Sequence, residues 1–167
     1  MGARLFPVLA CAALMCSATA RAAAPAVTRG ELAVLVWIRE GAAECDTAAQ
    51  PFSDLAGEDD GLVQAVEWGY GLGLMKGVGD GRFQPHRALT REEYATVLRR
   101  YDAMLGRDVF FPDGAAGCND YLDISPWADD SLYWACAMGR MDFLECRLAP
   151  LSPVTSPQAA QWLEGPG

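Results

Sequence analysis

The chain has 167 residues, with 13 lysines and arginines against 22 aspartates and glutamates, and its formal net charge at pH 7 is −9. This acidic balance argues against binding to nucleic acid or to the anionic surface of a membrane. Beyond the first residues, no apolar run is long enough for a membrane anchor, and the length suits one ordinary domain. Nucleic-acid-binding and membrane-embedded proteins are therefore disfavoured from the start.

The first 22 residues have the features of a cleaved secretory signal peptide. Arg4 supplies a positive charge, residues 5–15 form an apolar run too short for a bilayer, and residues 20–22 give a small-x-small cleavage site. Cleavage there would leave 145 residues with a formal charge of −11. A lipid-anchored form is the less favoured alternative, because Cys11 comes too early in the apolar run and Cys16 follows bulky residues.

Four cysteines remain after that cleavage, and an even number in an exported protein indicates two disulfides with three connectivities. We favour Cys136–Cys146, which are close in sequence, together with Cys45–Cys118, which lie in comparable linkers. Zinc binding is the alternative. The chain has no Cys-x-x-Cys and a single histidine, His86, so no metal site is predicted.

One helix-start signal occurs three times along the chain. In this capping box, a threonine hydroxyl accepts a hydrogen bond from the third helical N–H, and the side chain of that third residue binds the threonine N–H. The pairs are Thr28 with Glu31, Thr90 with Glu93, and Thr155 with Gln158. Apolar residues at helical spacing follow each box, so three capped helices are predicted.

A second pattern precedes two of these helices, at residues 52–90 and 121–155. It consists of an aromatic-x-Asp turn, a short helix ending at glycine, a tight turn, a brief extended stretch and a proline. The two copies pair Phe52 with Tyr121, Asp54 with Asp123, and Trp68 with Trp134. The tryptophans recur at helical positions and are predicted to lie in the core. Repeats of this length bury one another's apolar faces.

Together, the order [FY]-x-D, W, G-x-M, F-x-P and [LV]-T-R-x-E resembles the S-layer homology (SLH) repeat, from residue 27 to about residue 164. The resemblance implies a mainly α fold of helix–turn–helix repeats with short extended stretches, in a spindle of approximate threefold symmetry. Residues 27–50 would be a partial repeat, 51–117 a repeat and 118–167 a divergent repeat. The first repeat is truncated, because its preceding half falls in the predicted signal peptide.

The resemblance also implies a function. Proteins of this family are held non-covalently on the bacterial cell wall by binding secondary cell-wall polysaccharide, which is often pyruvylated. The arginine of the family's Thr-Arg-Ala-Glu motif contacts the polymer in grooves between repeats, and Arg91 and Arg29 occupy that position here. Ser156 replaces it in the third copy, so at most two working grooves are expected. Gly30 and Glu92 replace the motif alanine, a change expected to be mild on an exposed first turn.

An arginine at the first helical position combines two features that attract anions. Its guanidinium can donate two hydrogen bonds to a carboxylate such as that of a pyruvyl ketal. The helix N-terminus adds free N–H groups and partial positive charge. The alternative role is a structural ion pair with a neighbouring acid. Residues 76–107 carry a net charge of +3 and form one region where an acidic ligand could bind. A solvated helix face is nevertheless the preferred explanation for Arg99, Arg100 and Arg107.

The remaining candidate residues for polysaccharide binding lie in turns. The glycine-rich turn contributes Gly73, Lys76 and Gly77, and Trp127 is the candidate for stacking on a sugar ring. The glycine-rich turn lacks the Gly-Lys-Ser/Thr of a phosphate loop. Because no calcium loop, nucleophile motif or cofactor motif is recognisable, we predict a protein that is not an enzyme and needs no cofactor.

The leading hypothesis is thus an exported, disulfide-stabilised module that binds cell-wall polysaccharide at the cell surface. The alternative is a degenerate SLH unit that has lost glycan binding and packs on another surface protein or on a second copy. The serine in the third motif and the missing half-repeat favour that alternative, since a truncated spindle exposes an apolar flank. A third hypothesis makes the chain a part of a longer anchored enzyme.

Overall fold

The structure is a computed structural model that describes residues 24–43, 52–110, 118–128 and 130–165. These residues form five α-helices: α1 Arg29–Arg39, α2 Asp60–Gly71, α3 Arg91–Met104, α4 Ser131–Ala137 and α5 Ser156–Glu164. Short 3₁₀ turns lie at Ser53–Leu55, Tyr121–Asp123 and Pro126–Ala128. Within the described residues, extended segments meet in isolated bridges rather than in a sheet. The predicted mainly α fold is confirmed.

Capping boxes begin the three helices that follow a threonine. In the first, Glu31 N donates to Thr28 Oγ1 at 3.2 Å, and Thr28 N donates to Glu31 Oε2 at 2.8 Å. The same box joins Thr90 to Glu93 and Thr155 to Gln158. A good N-cap contributes about 1 kcal/mol, so the local sequence is sufficient to place these helix starts.

A closed ring of backbone hydrogen bonds joins the three segments that lead into α1, α3 and α5. Val27 N donates to Val154 O at 2.8 Å, Val154 N donates to Leu89 O at 3.0 Å, and Leu89 N donates to Val27 O at 2.9 Å. All three side chains are buried. Because each segment has the same relation to the next, the ring places the three helix starts around an approximate threefold axis.

The short helices pack on the capped helices of the preceding repeat. Helix α2 lies against α1, and α4 lies against α3, while α5 makes its main helix contact with α1. Trp68 in α2 and Trp134 in α4 are both buried, as the helical spacing predicted.

One aspartate closes the same turn in each of the two longer repeats, by accepting hydrogen bonds from two successive backbone N–H groups. Asp54 accepts from Phe83 N at 2.9 Å and Gln84 N at 2.7 Å, and Asp120 accepts from Leu148 N at 3.0 Å and Ala149 N at 2.8 Å. The two aspartates are therefore structural equivalents.

The predicted pairing of Phe52 and Asp54 with Tyr121 and Asp123 is consequently wrong by three residues. Matching the two turn-closing aspartates puts Cys118 in the place of Phe52. The sequence was misleading because the tripeptide at 121–123 reproduces the aromatic-x-Asp spacing. The later repeat has additional residues between its aspartate and its short helix, and they fold into two 3₁₀ turns.

The described cysteines are Cys118, Cys136 and Cys146, and all three are free thiols. The favoured Cys136–Cys146 bridge is not formed in the structure, because Cys136 is buried in α4 whereas Cys146 is exposed on a surface turn. The predicted signal peptide, residues 1–22, lies outside the described residues, and so does Cys45, whose pairing stays a prediction. Among the helices described, none combines the length and the apolar character needed to cross a membrane.

Candidate functional site

A groove of about 440 Å³ lies beside α3, and its walls come from four separate parts of the chain. Four of the six residues predicted to bind polysaccharide line it: Arg29, Lys76, Gly77 and Trp127. They belong to the start of α1, the turn after α2 and the second 3₁₀ turn of the last repeat. The fold thus brings residues that are far apart in sequence to one surface.

Arg29 forms part of this groove while being held firmly by the protein. Its Nε donates to Phe83 O at 2.9 Å, its Nη2 donates to Lys76 O at 2.6 Å, and its guanidinium carbon lies 4.6 Å from the Phe83 ring centroid. Nη1 lies 3.3 Å from Glu93 Oε1. Burial is the largest influence on the pKa of Arg29 and lowers it, while Glu93 acts in the opposite direction. An ion pair with a neighbouring acid is therefore present at Arg29.

Glu93 connects the helix cap to the groove. Besides capping Thr90, its carboxylate accepts hydrogen bonds from both terminal nitrogens of Arg87. Burial acts to raise the pKa of Glu93, but the hydrogen bonds from Arg87 and Thr90 outweigh it, and the pKa is lowered. The carboxylate therefore stays ionised and partly neutralises two arginines. Within the described residues, the buried Nε of Arg87 has no hydrogen-bond partner.

The groove is basic although the chain as a whole is acidic. Arg29, Lys76, Arg87 and Arg100 line it together with one carboxylate, that of Glu93. The formal charge of its lining is thus +3, in a chain of net charge −9. An anionic ligand is favoured at this place and disfavoured over most of the remaining surface.

Sequence reasoning missed two of these cations, Arg87 and Arg100. Arg100 was assigned to a solvated helix face, which is wrong: it lines the groove, is partly buried, and donates to Leu74 O at 3.2 Å. Burial lowers its pKa. The signal that could have found it is helical spacing, because Glu93, Thr96, Val97 and Arg100 share one face of α3 and all four line the groove.

Trp127 lies where the groove meets a second cavity of about 270 Å³. Thr96, Arg100 and Trp127 line both, so the two cavities adjoin at these residues. The Trp127 side chain is well exposed, with the residue 55% accessible. The result is an elongated surface with an indole ring part-way along it, a shape that accommodates a polymer better than a compact ligand.

The first turns of α1 and α3 are buried, contrary to the expectation that they are exposed. A Cβ on Gly30 would lie only 3.0 Å from Pro85 O, so the motif alanine does not fit there without movement. Glu92 is also buried and accepts two hydrogen bonds from Ser125, from N at 2.9 Å and from Oγ at 2.8 Å. Because Ser125 directly precedes the turn that carries Trp127, Glu92 positions that turn.

Arg91 occupies the position equivalent to Arg29 one repeat further on, but it does not line the groove. Its Nε donates to Leu148 O at 2.7 Å and its Nη2 to Asp142 O at 2.6 Å. Its guanidinium carbon lies 5.3 Å from the Trp162 ring centroid, and the residue is 1% exposed. Its buried Nη1 lacks a hydrogen-bond partner in the described part of the chain. Burial lowers the pKa of Arg91.

Gly73 also lies outside the groove. It follows α2 with a φ of +71°, a left-handed conformation that glycine adopts without strain, and its N–H donates to Tyr70 O at 2.9 Å. Its structural role is therefore to end the helix.

The third motif position, Ser156, borders a different kind of surface. Its N–H donates to Pro25 O at 3.1 Å, and it lines a cavity of about 560 Å³ next to α1. Val34 and Leu35 stand there in the places that Thr96 and Val97 have in the basic groove. No arginine or lysine lines this cavity in the described part of the chain. Of the three related positions, Arg29 therefore borders the basic groove, Arg91 is more deeply buried, and Ser156 borders a mainly apolar cavity.

Comparison with known proteins finds a family resemblance in the middle of the chain. Residues 51–95 match the family model of the S-layer homology domain. The match covers 45 of the 167 residues and shows a likeness to this family over that stretch. The matched stretch contains Lys76, Gly77, Arg87 and Glu93 of the groove, whereas Arg29, Arg100 and Trp127 lie outside it.

Two curated proteins that resemble this chain are much longer. Cell surface glycoprotein 1 of Acetivibrio thermocellus is 39% identical over 77 residues, which are 45% of this chain and 3% of that protein. An endoglucanase of Bacillus sp. (strain KSM-635) is 26% identical over 126 residues, which are 75% of this chain and 13% of the enzyme. The chain thus spans a small part of the length of either relative.

Proposed function

We propose that this chain is a non-catalytic S-layer homology module that attaches to an acidic cell-wall polysaccharide and so resides at the cell surface. The observation that carries the proposal is the convergence of Arg29, Lys76, Gly77 and Trp127 on one groove whose lining has a formal charge of +3. The family match and the likeness to a cell surface glycoprotein support this location. A pyruvyl ketal or another carboxylate on the polymer supplies the complementary charge.

The cations of the groove have different roles in binding, because some are already paired with a carboxylate of the protein. Arg29 and Arg87 are already paired with Glu93, whereas Arg100 donates to a backbone carbonyl and has no acidic partner recorded within the described residues. A ligand carboxylate therefore makes its new contacts with Arg100 and the exposed Lys76. Each charge-assisted hydrogen bond contributes about 1.5–3 kcal/mol when shielded, and less in a groove open to water.

Arg29 acts mainly by positioning the wall of the groove. Its bonds to Lys76 O and Phe83 O join the start of α1 to both ends of the glycine-rich turn. The turn would otherwise be free to move, because it contains several glycines with positive φ. In this way the motif arginine prepares the backbone on which Lys76 and Gly77 meet the sugar.

Trp127 provides an apolar platform for a sugar ring. Aromatic side chains offer a flat apolar surface with a polar N–H at one edge, which suits the mixed polarity of a pyranose. Its place between two adjoining cavities allows one residue of the polymer to stack while its neighbours occupy either side. One such groove per chain is proposed, since Arg91 is 1% exposed against 6% for Arg29, and Ser156 borders an apolar cavity.

Co-sedimentation of the purified protein with cell-wall sacculi tests the proposal. The double variant Lys76→Ala/Arg100→Ala should weaken binding about tenfold or more, because it removes two charge-assisted contacts. Trp127→Ala should weaken it by a similar factor. Matched controls are Arg147→Ala, an arginine on an exposed turn of the last repeat, and Leu122→Ala, an apolar residue that is 91% exposed. Both controls should bind like the unaltered protein.

Sacculi stripped of secondary polymer complete the design. Loss of binding on stripped walls, together with loss in the groove variants, would support polysaccharide attachment. Binding that survives stripping and both groove variants would contradict it and would favour a protein partner. The apolar cavity next to Ser156 is the candidate surface for that second function, and Leu35→Asp would then be the variant that abolishes binding.

A further inference from the structure

Cys118 takes the place of an aromatic residue that makes a defined contact in the preceding repeat. It lies two residues before Asp120, as Phe52 lies two residues before the equivalent turn-closing Asp54. Phe52 packs edge to face on Tyr70, with ring centroids 5.1 Å apart. The residue of the last repeat that is equivalent to Tyr70 is therefore the expected neighbour of Cys118.

The hydrogen bonds at the ends of α2 and α4 identify Cys136 as that residue. Gly73 N donates to Tyr70 O at 2.9 Å, and Gly139 N donates to Cys136 O at 3.1 Å. The following bonds agree, since Met75 N donates to Gly69 O at 3.1 Å and Met141 N donates to Ala135 O at 3.0 Å. Cys118 and Cys136 thus replace the two members of an aromatic contact pair.

Both cysteines belong to the same side of the core. Cys136 is 5% exposed and lies in the hydrophobic cluster, and Cys118 is partly buried and packs against that cluster. Two cysteine side chains here replace two aromatic side chains. Leu148 also replaces the equivalent Phe83, so the side chains in this part of the core are smaller than those of the preceding repeat.

Cys146 lies near enough to Cys118 to help raise its pKa, after burial and Asp120, but its side chain has a less suitable direction for a bond. It is the second of two residues with positive φ in a tight turn, Glu145 and Cys146, and its counterpart in the preceding repeat is Gly81, after Asp80. A Cβ built on Gly81 meets no heavy atom of the described residues within 4 Å. The equivalent side-chain direction at Cys146 therefore leads into solvent, and the residue is exposed.

We propose that Cys118 and Cys136 form a disulfide bond when the protein meets an oxidising environment. The oxidant is a disulfide, such as an oxidised dithiol protein or oxidised glutathione. The thiolate of the more accessible Cys118 attacks it and forms a mixed disulfide, releasing one thiol of the oxidant. The Cys136 thiolate then displaces the second thiol. The two cysteines lose two protons and two electrons, and the oxidant gains them.

The surroundings of Cys136 affect the rate of this step. Burial raises the pKa of the Cys136 thiol to about 11, and the Arg91 guanidinium, whose Nη2 lies 3.6 Å from Sγ, acts in the opposite direction. Burial also raises the pKa of Cys118. Oxidation should therefore be slow at neutral pH and should accelerate as the pH rises. The bond would hold the entry of the last repeat against α4, beside Arg91.

A peptide map of the full chain, purified without reductant and alkylated before reduction, tests the assignment. Trypsin cleaves after Arg107, Arg140 and Arg147, so Cys118 and Cys136 fall in one peptide, 108–140, and Cys146 falls in 141–147. The expected result is a 108–140 peptide that is not alkylated and is lighter by two hydrogens, with 141–147 alkylated. A peptide 108–140 linked to 141–147 or to the Cys45 peptide, 40–76, would overturn the proposal, and so would full alkylation.

Thermal unfolding with and without reductant gives a second test. Reductant should lower the Tm of the unaltered protein and of Cys146→Ser by about 10 °C, because the bond closes a loop of fewer than 20 residues. It should leave the Tm of Cys118→Ser unchanged. If Cys118→Ser does not fold, Cys136→Ser takes its place, and the peptide map of the unaltered chain remains decisive. An equal reductant effect in Cys118→Ser would contradict the assignment.

Discussion

Asp102 and Arg140 join α3 to the turn after α4 through two parallel hydrogen bonds, from Nε to Oδ2 at 2.8 Å and from Nη2 to Oδ1 at 2.9 Å. Both residues are buried. Arg107, which is much more exposed, donates to the same carboxylate at 2.8 Å. The pair therefore attaches the last repeat to the central helix independently of the apolar core.

Removal of Asp102 should destabilise the protein strongly. Asp102→Ala leaves the Arg140 guanidinium buried without its counter-charge, and we expect the free energy of unfolding to fall by about 3–5 kcal/mol. Urea unfolding at pH 7, followed by circular dichroism, measures this. Arg107→Ala is the control and should cost less than about 1 kcal/mol, because its partner is retained by Arg140 and the side chain is partly exposed. Equal losses in the two variants would contradict the assignment.

Stability should decline in acid because of the two turn-closing aspartates. Burial acts to raise the pKa of Asp54 and of Asp120, but the hydrogen bonds from two backbone N–H groups to each outweigh it, and both pKa values are lowered from 3.8. A lowered folded-state pKa means stability that is fully present above the unfolded pKa and is lost as the pH falls through the folded value. The free energy of unfolding should therefore decrease below about pH 4.

The variants Asp54→Asn and Asp120→Asn separate these two contributions. Each should be less stable than the unaltered protein at pH 7, and each should show a smaller decrease between about pH 4 and pH 2. Unfolding curves in urea at a series of pH values provide the measurement. An unchanged slope in the double variant would assign the acid sensitivity to other carboxylates, such as Glu93.

Gly77→Ala should change the shape of the groove by displacing the backbone of its wall. A Cβ at this position would lie 2.5 Å from Phe52 Cε1 and 2.8 Å from Arg82 O, and the backbone oxygen cannot move aside independently. We expect a loss of about 1–3 kcal/mol in stability and weaker binding to sacculi. Gly71→Ala is the matched control, because it lies in α2 with no described heavy atom within 4 Å of its Cβ, and it should be neutral or slightly stabilising.

Glu92→Ala should weaken polysaccharide binding although Glu92 does not line the groove. The substitution releases both hydrogen bonds to Ser125, so the turn that carries Trp127 loses its attachment to α3. Amide hydrogen exchange should rise at residues 125–128, and affinity for sacculi should fall several-fold. Glu164→Ala, an exposed acid at the end of α5, should change neither quantity. Protection of 125–128 that stays unaltered in Glu92→Ala would refute the positioning role.

Features that depend on local chemistry could be predicted from the sequence. The capping boxes at Thr28, Thr90 and Thr155 need contacts over three residues, and the helical spacing of Trp68 and Trp134 follows from the same periodicity. Four of the residues predicted to bind polysaccharide line one groove, because glycine-rich turns and motif arginines recur with the repeat, and their role in binding stays a prediction.

Features that depend on distant contacts could not be predicted. The equivalence of Asp54 and Asp120 follows from which backbone N–H groups each carboxylate meets, some 30 residues later in the chain. Arg100 lines the groove because the turn carrying Trp127 folds against α3. Gly30 and Glu92 are likewise buried by residues of the neighbouring repeat. The sequence pattern of a single helix contains no information about those residues.

The ring formed by Val27, Leu89 and Val154 has a consequence for folding. In an open array of repeats, each unit contacts its neighbours alone, and the ends can fray while the middle persists. Here the first helix start is bonded to the last, more than a hundred residues away, so the array has no free end at this level. Folding should accordingly be cooperative and comparatively slow, with closure waiting for the segment at Val154. Loss of the final helix start would open the whole circle rather than remove one unit.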